Sequence, residues 1–193
     1  LPLHYILFYK PYGVHCTFTD PEGRPTLKDY VPVPEVYAAG RLDHDSEGLL
    51  LLTNDGALNH RLTDPRFEHP KTYYAQVEGV ATETQVKQLC AGVVLRGERT
   101  RPAEVAIIPP PAVPPRAVRA YHPTTWLRVI LREGKKHQLR RMTAAVGLPC
   151  LRLVRVGIGS LTVEGLQPGA WRKLTKTELE HLGRITTFSN SGS

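Results

Sequence analysis

Four consecutive leucines, Leu49 to Leu52, are the strongest single constraint on how this 193-residue chain can fold. The run is of strand length, and it stands between Gly48 and the turn Asn54-Asp55-Gly56. A short apolar run closed off by turn signals reads as a buried strand. Similar strand-length pieces recur at Tyr5 to Tyr9, Val14 to Phe18, Tyr37 to Ala39, Lys71 to Val77, Val105 to Ile108 and Trp126 to Leu131. Val154 to Val163 adds one or two more, broken by Gly157 and Gly159. After the first piece, Lys10-Pro11-Tyr12-Gly13 is a turn: Pro11 presets one dihedral and Gly13 tolerates positive φ.

Helical patterns are fewer. Ala57 to Thr63 stops before Pro65, and Thr82 to Leu89 has Thr82 or Thr84 near its start and Gly92 beyond its end. Gln138 to Val146 puts Leu139, Met142 and Val146 on one face, with Gly147 to close it. Thr177 to Leu182 is a last helix, capped by Thr177 and ended by Gly183, with a frayed tail from Ile185. The prolines at 109–111 and 114–115 lack the donors of a central strand and read as an exposed loop. Strands outnumber helices and short turns join neighbours. The expected fold is therefore α+β: a mainly antiparallel mixed sheet with flanking helices, in two closely packed subdomains.

A hydrophobic fraction of 41% suffices for a continuous core, and no apolar run approaches the roughly 20 residues needed to cross a bilayer. A cytoplasmic protein, not bound to a membrane, is the simplest reading. The three cysteines, Cys16, Cys90 and Cys150, are scattered and read as free thiols. The chain opens at Leu1 with its only methionine at Met142, so a preceding segment is expected. The formal charge of +7 favours an anionic partner, and positive residues crowd Arg128 to Arg141 and Arg152 to Arg155, then recur at Arg172, Lys173 and Lys176.

The stretch before the leucines, Gly40-Arg41-Leu42-Asp43-His44-Asp45-Ser46-Glu47-Gly48, sets three acids and a histidine between glycines. Composition alone leaves three readings open. A calcium loop is imitated by Asp43, Asp45 and Glu47, but its twelfth position is Asn54 where a bidentate glutamate is needed. A solvated structural loop is the second. The third is a functional carboxylate in a cleft, which needs a cationic partner to stay ionised.

Gly40-Arg41-Leu42-Asp43 followed by Ser46-Glu47-Gly48-Leu49 resembles the catalytic signature of the bacterial ribosomal RNA pseudouridine synthases, in the branch with the small-subunit enzyme A and the large-subunit enzymes B, E and F. Lys10-Pro11-Tyr12-Gly13, Lys71-Thr72-Tyr73 and Glu133-Gly134-Lys135-Lys136-His137-Gln138-Leu139-Arg140-Arg141-Met142 match three more motifs of that branch in order, and Leu153 to Gly159 continues the likeness. The resemblance implies a pseudouridine synthase fold, with residues 3–183 as the catalytic domain and 184–193 as a C-terminal tail. It implies an enzyme that breaks the bond between uracil and ribose, turns the base and rejoins it through carbon 5.

By the same resemblance Asp43 is the catalytic carboxylate, Arg140 the arginine that pairs with it, and Tyr73 the active-site tyrosine. Arg41, Lys135, Lys136, His137 and Arg141 would contact RNA, and Leu42 and Leu139 would wall the pocket. The implied partner is ribosomal RNA, most closely that of the large subunit, met by a monomer through base flipping. Neither a cofactor nor a metal is implied, since isomerisation consumes nothing. Two alternatives stand beside this: a synthase for another ribosomal site, including small-subunit RNA, and a non-catalytic RNA-binding or ribosome-assembly module.

Overall fold

The computed structural model describes residues 1–188, with side chains as far as Gly183. All seven residues of β3 (Glu47–Thr53) are buried, as the leucine run requires. Alternation divides its side chains between two cores. Leu49 and Leu51 join Leu7, Leu58, Leu62, Val154 and Leu182 on one face, while Leu50 and Leu52 join Ile6, Phe8, Leu27, Val31 and Val36 on the other. A third core, under Tyr73, Ala75, Val77, Leu127, Leu89 and Met142, belongs to the other half of the sheet.

β1 (Tyr5–Lys10) lies antiparallel along one edge of β3, from Tyr5 opposite Thr53 to Lys10 opposite Gly48. Two strands share the other edge. β2 (Tyr37–Ala39) pairs antiparallel with Leu51 to Thr53, and β9 (Cys150–Ile158) pairs parallel with Glu47 and Gly48. The edge forks at Leu49 and Leu50, and the loop from Gly40 to Ser46 connects the end of β2 to the start of β3 beside that fork. β9 approaches closely because Gly48, at φ +108, has no Cβ; one placed there would overlap the main chain of Arg155.

Beyond β9 the sheet continues antiparallel through β4 (Lys71–Glu78), β8 (Thr124–Leu131) and β7 (Glu104–Ile108). β11 (Trp171–Lys173) lines the far side of β1, β10 (Leu161–Thr162) turns back on β9, and β5 (Val94–Leu95) pairs with β6 (Glu98–Arg99) in a separate ribbon. Among the described residues, β3 with β9 is the one parallel pairing of named strands. The mixed, mainly antiparallel α+β architecture is therefore as expected.

α1 (Gly56–Thr63) starts where the Asp55 side chain accepts from the Leu58 amide, and α2 (Glu83–Ala91) starts in a capping box between Thr82 and Gln85. α3 is Gln138–Ala145 and α4 is Lys176–Phe188. Among the described residues, no helix is long and apolar enough to cross a membrane.

Several expectations need correction. Val14 to Phe18 forms a single bridge, His15 to Thr26, because its neighbour contains Pro25, which has no amide to extend a ladder. α4 is capped by Thr175 rather than Thr177: the Glu178 amide donates to Thr175 Oγ1 (3.1 Å) while Glu178 Oε1 accepts from the Thr175 amide (2.8 Å). It continues through Gly183 to Phe188, so the expected tail from residue 184 begins inside a helix. The proline-rich segment is exposed at Pro109 and Pro110 but pinned further on. The Pro114 carbonyl accepts from Arg152 (2.6 Å), and Arg116 donates to Glu47 (3.1 Å) while stacking on Tyr12 at 4.0 Å. Arg152 and Arg155 are 3% and 2% exposed, so they do not belong to a basic surface.

Candidate active site

Arg155 fills the fork. Its guanidinium donates to the Leu49 carbonyl (2.8 Å) and the Gly40 carbonyl (2.9 Å), completing the edge that β2 and β9 leave open. Lys10, wholly buried at the end of β1, donates to the carbonyls of Val14 (2.8 Å), Pro11 (2.9 Å) and His44 (3.3 Å). The Gly13 amide also donates to His44 O at 2.7 Å. Arg140, on α3, donates to the Asp45 carbonyl (2.9 Å) and the Cys150 carbonyl (3.3 Å). Three motif cations thus hold the main chain of the loop at Gly40, His44 and Asp45. The turn between them is closed by the Ser46 amide on Asp43 O at 3.0 Å.

Asp43 stands in the middle of this braced loop, its side chain 36% exposed. Its Oδ1 lies 3.2 Å from His137 Nε2, an ion pair when that histidine is protonated. His137 occupies the left-handed N-cap position of α3 at φ +54. The expected Arg140–Asp43 pair is not formed: Arg140 reaches Asp45 instead, 3.8 Å from its carboxylate as well as bonded to its carbonyl. Asp43 and Arg140 nevertheless line one cavity of about 1150 Å3.

That cavity also brings together Tyr73, Arg41, Leu42, Lys135, Lys136, His137 and Leu139. Tyr73, on β4, is 9% exposed and packs in the same core as Leu139 and Leu153. Leu42 and Leu139 are buried, which fits apolar walls. Lys135 is held by Glu98 at 2.8 Å, whereas Arg141 is half-buried and does not line the cavity. On a helix, Arg141 lies about 100° round from Arg140, enough to take it off the cavity face.

Sequence reasoning missed other members. Glu133 is buried, accepting from the Arg101 amide (2.6 Å) and Gln138 (2.8 Å), and so fastens the basic turn to α3. His69 and Lys71 line the wall beside Tyr73. Burial pushes the His69 imidazole down to about 4 and the Lys71 ammonium down to about 8, with a neighbouring cation adding to each. Lys71 precedes Tyr73 by two in a strand, so alternation alone could have placed both on one face.

The sequence pattern of the RNA pseudouridylate synthase family matches residues 4–145, a span that includes the braced loop, Tyr73 and all of α3. The chain belongs to this family. A "Ribosomal large subunit pseudouridine synthase E" of Vibrio vulnificus is 53% identical over 174 residues, 88% of this chain and 74% of that protein. A protein of the same name from Xanthomonas campestris is 54% identical over 174 residues, 86% of this chain and 93% of its own. A solved pseudouridylate synthase superposes with a TM-score of 0.80 at 33% identity, over 94% of this chain and 74% of that one. Within the synthase family, the wording Asp43-His44-Asp45-Ser46-Glu47 most resembles the large-subunit enzyme E, in agreement with these relatives.

Proposed function

We propose that the protein isomerises a specific uridine of large-subunit ribosomal RNA to pseudouridine, with Asp43 as the catalytic carboxylate. The observation that carries this reading is the placing of Asp43. A half-exposed carboxylate stands at a cavity whose described lining holds nine Lys and Arg against four Asp and Glu, and which Tyr73 also lines.

In the reaction the C1′–N1 bond breaks and a C1′–C5 bond forms. The proton on C5 is lost to solvent and N1 gains one, so nothing is consumed overall. Asp43 would act on the nucleoside as its ionised form, by attack or by assisting elimination. The Tyr73 ring would stack on the everted uracil, and its oxygen, having given up its own proton, would take the one from C5. Arg41, Lys136 and His137 would meet the phosphates at the cavity mouth, giving affinity and register rather than base identity. The uridine must leave its stack to reach Asp43. The reading includes a monomer working in the cytoplasm without cofactor or metal.

The test is tritium release from unmodified ribosomal RNA labelled at uridine C5. Release by the native protein and none by Asp43→Asn is expected. RNA binding with no release by either would establish a non-catalytic module instead.

A further inference from the structure

Lys71 is unused by the reaction as described, yet it stands in the wall of the same cavity, two residues along β4 from Tyr73. The residue is half-buried, and among the described residues its ammonium has neither a hydrogen-bond acceptor nor an acidic partner. The neighbouring charge that acts on it is the Arg155 guanidinium, which among the described residues is bonded to two main-chain carbonyls alone. Among the described residues, two cations therefore lie side by side with no carboxylate paired to either. Glycines flank the ammonium: its Nζ is 4.0 Å from where a side chain would begin on Gly40 and 3.5 Å from that point on Gly134. Both are residues of the loops that carry Asp43 and the basic turn, and neither covers the Lys71 head.

A partly buried, unpaired ammonium destabilises the free protein, because desolvation is not offset by a partner. A ligand entering the cavity can supply the offset. A neutral base carbonyl would satisfy one N–H but leave the doubled positive charge standing, whereas an anionic oxygen answers both. We infer that Lys71 binds a phosphate of the nucleotide everted into the cavity, or of its immediate neighbour, and so sets the depth to which the uridine enters. This rests on the RNA-modifying reading of the site.

The experiment measures equilibrium binding of an unmodified large-subunit ribosomal RNA transcript across a salt series. It compares the native protein, Lys71→Met, Lys71→Gln and the control Lys87→Met, whose lysine is exposed on α2 outside the cavity. Losing one phosphate contact makes the slope of log K against log salt shallower by about 0.7 to 1 and weakens low-salt binding roughly tenfold. That outcome is expected for both Lys71 variants and not for Lys87→Met, with a melting temperature no lower than native for Lys71→Met.

An unchanged slope in whichever Lys71 variant is folded overturns the proposal, even if affinity falls, because a base carbonyl carries no counterion. An equal change in Lys87→Met overturns it too, since the effect would then be one of general charge. A lower melting temperature with native binding would make Lys71 a structural residue. Failure of the native protein to release tritium would sink the catalytic reading separately from the slope.

Discussion

Arg140 donates a 2.9 Å hydrogen bond to the main-chain carbonyl of Asp45, two residues beyond the carboxylate of Asp43. The arginine therefore acts on the loop rather than on the acid, and it keeps its Nε buried without a partner. With Lys10 on His44 and Arg155 on Gly40, it makes the position of Asp43 a consequence of main-chain bracing. Preorganisation of this kind holds a reacting group in place before substrate arrives.

Arg140→Lys is expected to lower single-turnover tritium release at least about tenfold, since one ammonium cannot span Asp45 O and Cys150 O as the planar guanidinium does. RNA affinity should stay within about threefold of native, because the positive charge is kept. Equal losses in affinity and rate would show instead that Arg140 binds RNA directly.

Gly48→Ala is expected to cost several kcal/mol, about 3 or more, measured by urea unfolding. Its φ of +108 and its approach to the Arg155 main chain both exclude a Cβ. Stability within about 1 kcal/mol of native would mean that β3 and β9 can separate without loss.

Glu47 accepts from Arg152 at 2.9 and 3.0 Å and from Arg116 at 3.1 Å, with the Glu47 and Arg152 side chains nearly inaccessible. Glu47→Ala would leave Arg152 buried and uncompensated, a loss of roughly 3 to 5 kcal/mol. It would also loosen the proline-rich segment, which loses its Arg116 bond to Glu47. Raised proteolysis between Pro109 and Pro123, against an intact remainder, would report that loosening.

His69 makes a prediction about pH. Burial lowers its folded value from the ordinary 6.5 to about 4, and its Nε2 is buried without a partner. Above about 6.5 the histidine is neutral in both states and its full contribution is present. As pH falls from there towards 4, the unfolded chain takes up a proton that the fold refuses, and stability drops. The melting temperature of His69→Gln should be flatter than native between pH 6.5 and 4. Parallel curves would remove His69 as the cause.

Tyr73→Phe separates ring from hydroxyl. Among the described residues the hydroxyl has no hydrogen-bond partner in the protein, so the variant should unfold at the native denaturant concentration. Tritium release should fall by about 100-fold, the lower range for a lost general base. Native turnover would confine Tyr73 to stacking.

Local spacing made much of this legible. The leucine run, the turn residues and the period of two located β1, β3, β4 and β8, because a strand's faces are set by its own alternation. The helices over 56–63, 83–91 and 138–145 were legible for a like reason: their caps and breakers lie within a few residues. The short strands β5, β6 and β11 were not, since so few residues hold no period. Val14 to Phe18 misled because strand composition says nothing about whether a partner with free amides lies alongside.

The chain's own residues determined the order of motifs, and with it the family and the segment that presents Asp43. They also determined the leucine strand, since four apolar residues in succession can be covered only by protein on both sides. Only the tertiary structure decided which cation serves which oxygen. Arg155 on Gly40 spans 115 residues, Arg152 on Glu47 105, and Arg140 on Asp45 95. Such pairings depend on sheet register and on the fork in β3, and a hydrogen bond that depends on the meeting of distant strands leaves no periodic mark in the sequence.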